Sequence, residues 1–578
     1  ANGLPVSGAN VQVVNNALTP AINMMEISLA DGTVTLPGAP ASYESYEITV
    51  TKANYGTDKT YARDASNPDP TRPHLTVTEN MKTEESFSID LLSSVTFRSV
   101  SQSLPQNFQI SNDLSGENQT NAMSGMDSAG NLYVVWQDAR QVSETRIYAQ
   151  KYDTAGTKLW PNDVNVSNAN NMILPDIAVD PSGDLYICWN NDSNGNQDSY
   201  LVKLASADGT DLWGGVKKID TAADSKDQYS ARMILSSLNG TTTPAVIFTD
   251  NRNGDEDIFT QRYKADRTPV YGNEIRVNTN TVGDGTDQYD PSFTTDATGT
   301  LYIAWTDERN GNKDIFMNKI NATGTIQWAN DKQLAATSSA ASQVQPEITL
   351  NGSDGYYVIW NDDRGGGQDI YLQKYGTDGL PIWTDDIRVN DLSVTTTIKQ
   401  YDPDIAIDSS GIIYAVWTDE REGNPDIYAQ KLDSNGNRIW SEDLRVNVNP
   451  WNSTQSSPSI TINPVNDVPL ITWQDDRSGN FDIYATRIGD PGTPTDIGSI
   501  PFRLTSSSKI GNNPIIYEYD KEHYTAANGR ITLNLEWDNG YSLNLITAST
   551  TYSLEMIDPT PPIKILPGVT REIIMYVK

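Results

Sequence analysis

An aromatic residue closes a β-rich run seven times along this chain, at Trp136, Trp189, Phe248, Trp305, Trp360, Trp417 and Trp473. The intervals are 53, 59, 57, 55, 57 and 56 residues. A period of that length means one supersecondary unit copied in series, each copy burying its faces against its neighbours. One copy shows the grammar. Pro403–Asp408 alternates as a strand, Ser409-Ser410-Gly411 turns, and Ile412–Trp417 is a second, more fully apolar strand. Thr418–Pro425 is a polar loop with a glycine, Asp426–Leu432 alternates again, and Arg438–Asn447 ends the unit. Four short antiparallel strands joined by tight turns make one propeller blade. The fold is read as all-β: a seven-bladed β-propeller over residues 97–490, with a β-sandwich on either side.

Closure is also readable. The last unit stops after Phe481–Ile488 and lacks the "RVN" strand that ends the others. Phe108–Asn112 matches Ile275–Asn278 and Leu444–Asn447 and precedes the first inner strand. Strand 108–112 is therefore expected to complete the last blade and remove an open sheet edge.

Composition removes several classes of function. The chain carries 41 Lys+Arg against 75 Asp+Glu, a formal charge of -34, which repels nucleic acid and anionic lipid. No apolar run approaches the ~18 residues of a membrane span. The single cysteine, Cys188, excludes an intrachain disulfide framework and lies in an apolar stretch where an inert buried thiol is expected. Two histidines, His74 and His523, fall in different terminal regions and give no material for a histidine metal site. The chain begins at Ala1 without a signal peptide and is read as processed or trimmed.

After the anchoring aromatics, Asp recurs at +2, Arg at +4, Gly at +6 and Asp at +9, although the first unit keeps only Asp138 and Arg140 and the second only Gly195 and Asp198. The pattern is complete at Asp250/Arg252/Gly254/Asp257, Asp307/Arg309/Gly311/Asp314 and Asp362/Arg364/Gly366/Asp369. It is complete again at Asp419/Arg421/Gly423/Asp426 and Asp475/Arg477/Gly479/Asp482. The segments TDERNGNKDIF and QDDRSGNFDIY resemble the hairpin of TolB-type propeller repeats. That resemblance implies a protein-interaction platform rather than a catalyst. The repeat here is longer than TolB's and the blades number seven, so it bears on architecture more than on partner. Physically, the two aspartates would accept loop N–H groups and the arginine would bridge both carboxylates, making a structural brace. The alternative is calcium between paired carboxylates, weakened because each loop's own arginine competes for the same oxygens. Asp284, Asp287 and Asp290 form the best isolated calcium candidate; no other cofactor is implied.

Gln119, Gln228, Gln288, Gln343, Gln400 and Gln455 each stand just before an inner strand. They are expected either to bond neighbouring blades or to ring the channel mouth and touch a ligand. Because the prominent polar residues are the repeated ones, no catalytic residue is expected.

Residues 1–96 differ in texture. Gly3–Val14, Ala30–Leu36 and Tyr46–Gly56 resemble the carboxypeptidase-regulatory-like domain, a transthyretin-like sandwich of secreted and surface proteins. The resemblance implies a spacer without an active site. That family's first strand would lie before this segment, so an upstream strand is read as removed or supplied by another chain. Residues 491–578 resemble the same superfamily and Cna-B-like stalk domains, with Lys509 and Glu536 as weakly matching crosslink candidates.

These readings together predict a non-enzymatic bacterial surface or extracellular protein, with the propeller displayed for adhesion on β-sandwich modules. Its partners would be copies of itself, as in a pilus-like filament, or a surface partner. The alternatives are a glycan-binding lectin, using exposed aromatics such as Trp451, and a secreted glycoside hydrolase or lyase.

Overall fold

The computed structural model describes residues 5–79, 81–89, 92–101, 107–111, 116–141, 144–166, 169–192, 195–219, 226–238, 241–334, 341–352, 354–391, 398–421, 423–447, 453–489, 495–496, 500–512, 515–517, 519–526, 530–535, 538–545, 554–558, 563–565 and 570–577. Every regular element among them is a strand. Among the described residues no helix is long and apolar enough to cross a membrane.

Residues 104–490 form one compact unit of seven four-stranded antiparallel sheets. In the sixth, Gln400–Ile407 is innermost, followed by Ile413–Asp419, Asp426–Leu432 and Leu444–Arg445. The second strand is buried along its whole length because both of its faces meet a neighbouring blade. Tyr357, Ile359 and Ile370 of the fifth blade pack with Ile413, Ala415 and Trp417 of the sixth, all of them fully buried. Side chains of this kind contribute about 1.5–3 kcal/mol each on burial, so the seams between blades are the core.

The ring closes through the segment before the first blade. Phe108–Gln109 pairs antiparallel with Asp482–Arg487, placing Phe108 opposite Ala485 and Gln109 opposite Tyr484. The Ile110 N–H extends the ladder to the Ile483 carbonyl at 2.7 Å. Ile110 and Ile483 share a buried cluster with Trp136 and Leu470, so the closing strand also seals the last seam.

Outer turns latch each blade to the next. The Trp160 indole N–H donates to the Ser206 carbonyl at 3.3 Å, and that of Trp213 to the Ala265 carbonyl at 3.1 Å. Gly436, at φ +82°, lies against Trp383 and Ile387 of the preceding blade; a Cβ there would overlap Ile387 Cδ1 and stand 3.1 Å from Trp383. Both the left-handed backbone and the close approach require glycine.

The two ends of the chain are grouped differently from the expectation of separate modules at 1–96 and 491–578. Residues 1–103 and 491–578 form one compact unit. Within it, Ile22–Ile27, Asn10–Asn15, Ser42–Thr51 and Asp58–Lys59 lie side by side in one sheet. Ser93–Ser101 crosses the expected boundary and joins the C-terminal strands, antiparallel to Arg530–Leu535 and parallel to Thr570–Val577. Val95 and Phe97 explain this. They alternate on one face and are fully buried against Phe502, Leu504, Tyr541 and Met575, so the C-terminal sandwich needs this strand for its core. The Thr71 N–H also donates to the Ile510 carbonyl at 2.9 Å, tying the two ends directly. Of the crosslink candidates, Lys509 lies in a short strand and Glu536 lies outside the described residues.

Gly436→Ala is expected to lower stability by about 2–3 kcal/mol, through backbone strain and overpacking of the seam. Gly272→Ala has ordinary φ and open space and is expected within about 0.5 kcal/mol of the parent. Chemical denaturation midpoints of the two variants check this contrast.

Candidate functional site

The repeated Asp and Arg residues are spent inside their own blades. The Asp419 carboxylate accepts the Trp417 indole N–H at 2.9 Å, the Arg421 main-chain N–H at 2.8 Å and the Arg421 Nη2 at 2.5 Å. Asp138, Asp307, Asp362 and Asp475 repeat the arrangement with their own Trp and Arg, and Asp250 repeats it with Arg252 alone because Phe248 replaces the indole. The guanidinium then stacks on the aromatic of the third strand, 4.2 Å away for Arg421 over Tyr428 and 4.1 Å for Arg477 over Tyr484.

The arginine's second partner differs from the expected one. Arg252, Arg309, Arg364 and Arg421 reach Glu274, Asp331, Asp386 and Asp443, not the second aspartate of the hairpin. Those second aspartates face the outer strand instead. Asp257, Asp369 and Asp426 pair with Arg276, Arg388 and Arg445. Asp314 accepts the Asn310 and Asn312 amides, and Asp482 the Ser478 hydroxyl.

Gln119, Gln228, Gln288, Gln343, Gln400 and Gln455 are buried. Gln288 and Gln455 accept Asn278 and Asn447 Nδ2, from the ends of the preceding blades' outer strands, at 2.6 and 2.8 Å. These two amides bond across the seams, Gln119, Gln228 and Gln343 donate to the carbonyl two residues before them, and none of the six lines the channel pocket. Asp284, Asp287 and Asp290 do not converge. Asp284 caps its own turn at Thr286, Asp287 accepts the Glu256 N–H at 3.1 Å, and Asp290 lines the channel. Among the described residues no group of three acidic or histidine side chains is placed to hold a metal. Trp451 lies outside the described residues.

The feature that sequence reasoning missed begins two residues after each glutamine. Every inner strand breaks its ladder once, at an irregularity bounded by Thr120/Met123, Ile173/Asp176, Tyr229/Arg232, Tyr289/Ser292, Val344/Glu347, Tyr401/Asp404 and Ser456/Ser459. At each, one non-glycine residue takes a left-handed φ of 49–55°: Asn121, Leu174, Ser230, Asp290, Gln345, Asp402 and Ser457. The next residue is proline in five blades and alanine in two. Proline cannot join a ladder, so it marks the bulge. That proline, inside a strand flanked by two paired neighbours, was the available sequence signal.

The bulges turn two rings of side chains toward a pocket of about 250 Å³ to which all seven blades contribute. The frame is seven-fold and the lining is not. In the first ring Asp290, Gln345 and Asp402 stand on three consecutive blades, across the ring from the uncharged Asn121 and Leu174. Gln345 Nε2 donates to Asp402 Oδ1 at 2.7 Å. In the second ring Arg232 grips Glu347 with two nitrogens at 2.9 and 3.1 Å, and its Nε lies 3.6 Å from Asp176. Ser292 Oγ donates to Glu347 at 2.7 Å, so one network joins four blades across the channel. Asp404 accepts the Ile405 and Ile460 N–H groups at 2.7 and 2.8 Å, the second from the next blade.

Burial dominates the electrostatics. It pushes the Asp290 carboxyl up to about 6, with the charges of Glu347 and Asp402 adding to it and Lys313 and Arg232 opposing. Asp404 is pushed well up by burial and by the charge of Glu347. Burial also raises Asp402, offset in part by the Gln345 amide. Asp290 makes no hydrogen bond to any described residue and faces the cavity. Buried Cys188 has its thiol pushed up by desolvation and is inert as a nucleophile.

No family model matches the chain, and no curated protein matches it. Solved structures do. A polysaccharide lyase described as an ulvan lyase is 11% identical, covering 66% of this chain and 96% of its own, at a TM-score of 0.46. An α-L-arabinanase of Penicillium chrysogenum is 10% identical, covering 55% and 93%, at 0.38. A sialidase of Streptococcus pneumoniae is 9% identical, covering 84% and 95%, at 0.35. At such identities the likeness is one of fold. The comparison corrects one expectation: the chain had been read as a non-enzymatic display or adhesion protein, and the structures it resembles are a lyase, an arabinanase and a sialidase. That reading rested on the evenness of the repeats and passed over the uneven channel.

Glu347→Gln leaves Arg232 with one distant partner. A broken buried pair costs about 3–5 kcal/mol, and about 2–3 kcal/mol is expected here because 32% of the Arg232 side chain faces the channel. Urea denaturation of Glu347→Gln checks the loss, and a joint Arg232→Met/Glu347→Leu replacement is expected to recover most of it.

Proposed function

We propose that the chain cleaves a carbohydrate held in the channel pocket, with Asp290 as general acid and Asp402 as its carboxylate partner. The observation that carries this is Asp290: a carboxyl raised to about 6, without a hydrogen-bond partner among the described residues, opening into the same cavity as Asp402. Glycosidic bond cleavage needs one carboxyl that keeps its proton near neutral pH and a second that is ionised. Burial raises both carboxyls, and their partners set them apart: the Gln345 amide opposes the rise at Asp402, while the Asp402 charge adds to the rise at Asp290. Glu347 is excluded from either role because both its oxygens are committed to Arg232 and Ser292. Amides, two serine hydroxyls and proline rings around the rest of the lining suit a ligand with many hydroxyl groups and apolar ring faces. The setting we propose is extracellular, with a glycan as the partner.

A reducing-end assay on a panel of polysaccharides tests this. At least one substrate is expected to be cut by the parent chain, with the rate falling about 10²–10⁴-fold in Asp290→Asn and in Asp402→Asn. The rate is also expected to decline as pH rises through about 6, where Asp290 loses its proton. Cleavage unchanged in both variants would move the chemistry elsewhere, and tight binding without cleavage would make the propeller a lectin.

A further inference from the structure

We propose that the pocket selects a saccharide bearing a protonated amine and rejects acidic saccharides. This rests on the carbohydrate reading above and narrows it to a substrate class.

The first argument concerns what the pocket lacks. Gripping a uronate, a sulfate ester or a sialic acid requires a cation free to meet the anion. Among the described lining residues the one cationic side chain is Arg232. Its guanidinium is held bidentate by Glu347 at 2.9 and 3.1 Å and approached by Asp176 at 3.6 Å. An entering anion would have to displace Glu347 and leave that carboxylate buried beside three others. Lys313, whose charge is felt by Asp290, is half-exposed above the Tyr289 ring at 5.3 Å and is not part of the lining.

The second argument concerns what the pocket offers. Asp290, Asp402 and Asp404 remain on the lining after the arginine is accounted for, and Gln345 stands between the first two. Asp290 has no hydrogen bond among the described residues, and Gln345 gives its amide nitrogen to Asp402, leaving its carbonyl oxygen as an acceptor. An ammonium is three donors and no acceptor, which matches this acceptor-rich arc. A hydroxyl in the same place would leave the Asp402 charge uncompensated in an enclosed site, whereas an ammonium meets that charge while protonated Asp290 still accepts through its carbonyl oxygen. The field of the whole chain, at a formal -34, draws cations toward the channel and repels anions.

Calorimetric titration of the full chain at pH 6.5 and 0.15 M salt tests the class. The probes are a β-1,4-glucosamine tetrasaccharide, its fully N-acetylated counterpart and a tetragalacturonate. The amine-bearing probe is expected to bind at least tenfold more tightly than the N-acetylated one, and the uronate not at all. In Asp290→Asn/Asp402→Asn the preference for the amine is expected to vanish, although the chain keeps all but two of its 75 acidic residues. Each single variant, read alone if the double fails to fold, is expected to lose part of it. Equal affinity for the amine in parent and double variant would assign the binding to the acidic surface and overturn the proposal. Tighter binding of the uronate or the N-acetylated probe would overturn the amine class while leaving the carbohydrate reading intact. Failure of all three would also overturn the amine class, and the carbohydrate reading would then be decided by the cleavage panel.

Discussion

Each inner strand gives up its regular ladder at the same point, and the rest of the site depends on that interruption. A non-glycine residue in the left-handed region costs on the order of 1–3 kcal/mol. Seven such residues in one ring are a large outlay for a fold that builds its blades elsewhere with ordinary strands. The interruption turns side chains at two successive levels toward the channel. It also frees backbone N–H groups near the axis, which must find other acceptors. Side chains from neighbouring blades meet them: Asp176 accepts the Met233 N–H at 2.7 Å, Asp404 that of Ile460 at 2.8 Å and Ser292 that of Ile348 at 3.3 Å. The bulge therefore stitches neighbouring blades together and creates the pocket at once.

The perimeter tolerates this because it is braced independently. A buried aspartate ties the second-strand indole to the hairpin arginine, and the arginine stacks back on the third-strand aromatic. In five blades the same guanidinium runs on to an acid near the outer strand. Three of the four strands of a blade are thus locked by side chains. The inner strand is left free to vary its channel-facing residues without loss of the frame. Uniformity outside and variety inside are two consequences of one division of labour.

The fold was legible because it depends on what the copies share. The aromatic spacing fixed the number of blades, and the match of Phe108–Asn112 to the outer strands predicted the closure that Phe108–Gln109 makes. The pocket was not legible by the same method, because it lies where the copies differ: Asp290, Gln345 and Asp402 occupy one repeat position that elsewhere holds Asn, Leu or Ser. The glutamines two residues earlier recur, and all six are buried at the start of the inner strand, where Gln288 and Gln455 bond across the seams. The arginine's second partner was misread for a related reason. Spacing within the hairpin suggested Asp426 for Arg421, whereas the side chain runs across the blade to Asp443, which is 22 residues on. At the ends of the chain, Ser93–Ser101 joined strands more than 400 residues away, a pairing that local pattern does not announce.

A crystal structure of the Asp290→Asn variant soaked with oligosaccharides from the cleavage panel is the most direct examination of the proposed site. Density for a sugar ring is expected at the axis of the propeller, within hydrogen-bond distance of Asn at position 290 and of Asp402, with the Arg232–Glu347 pair undisturbed. Sugar bound on the outer face of a blade with the axial pocket empty, or seated at the axis by an Arg232 released from Glu347, would contradict it.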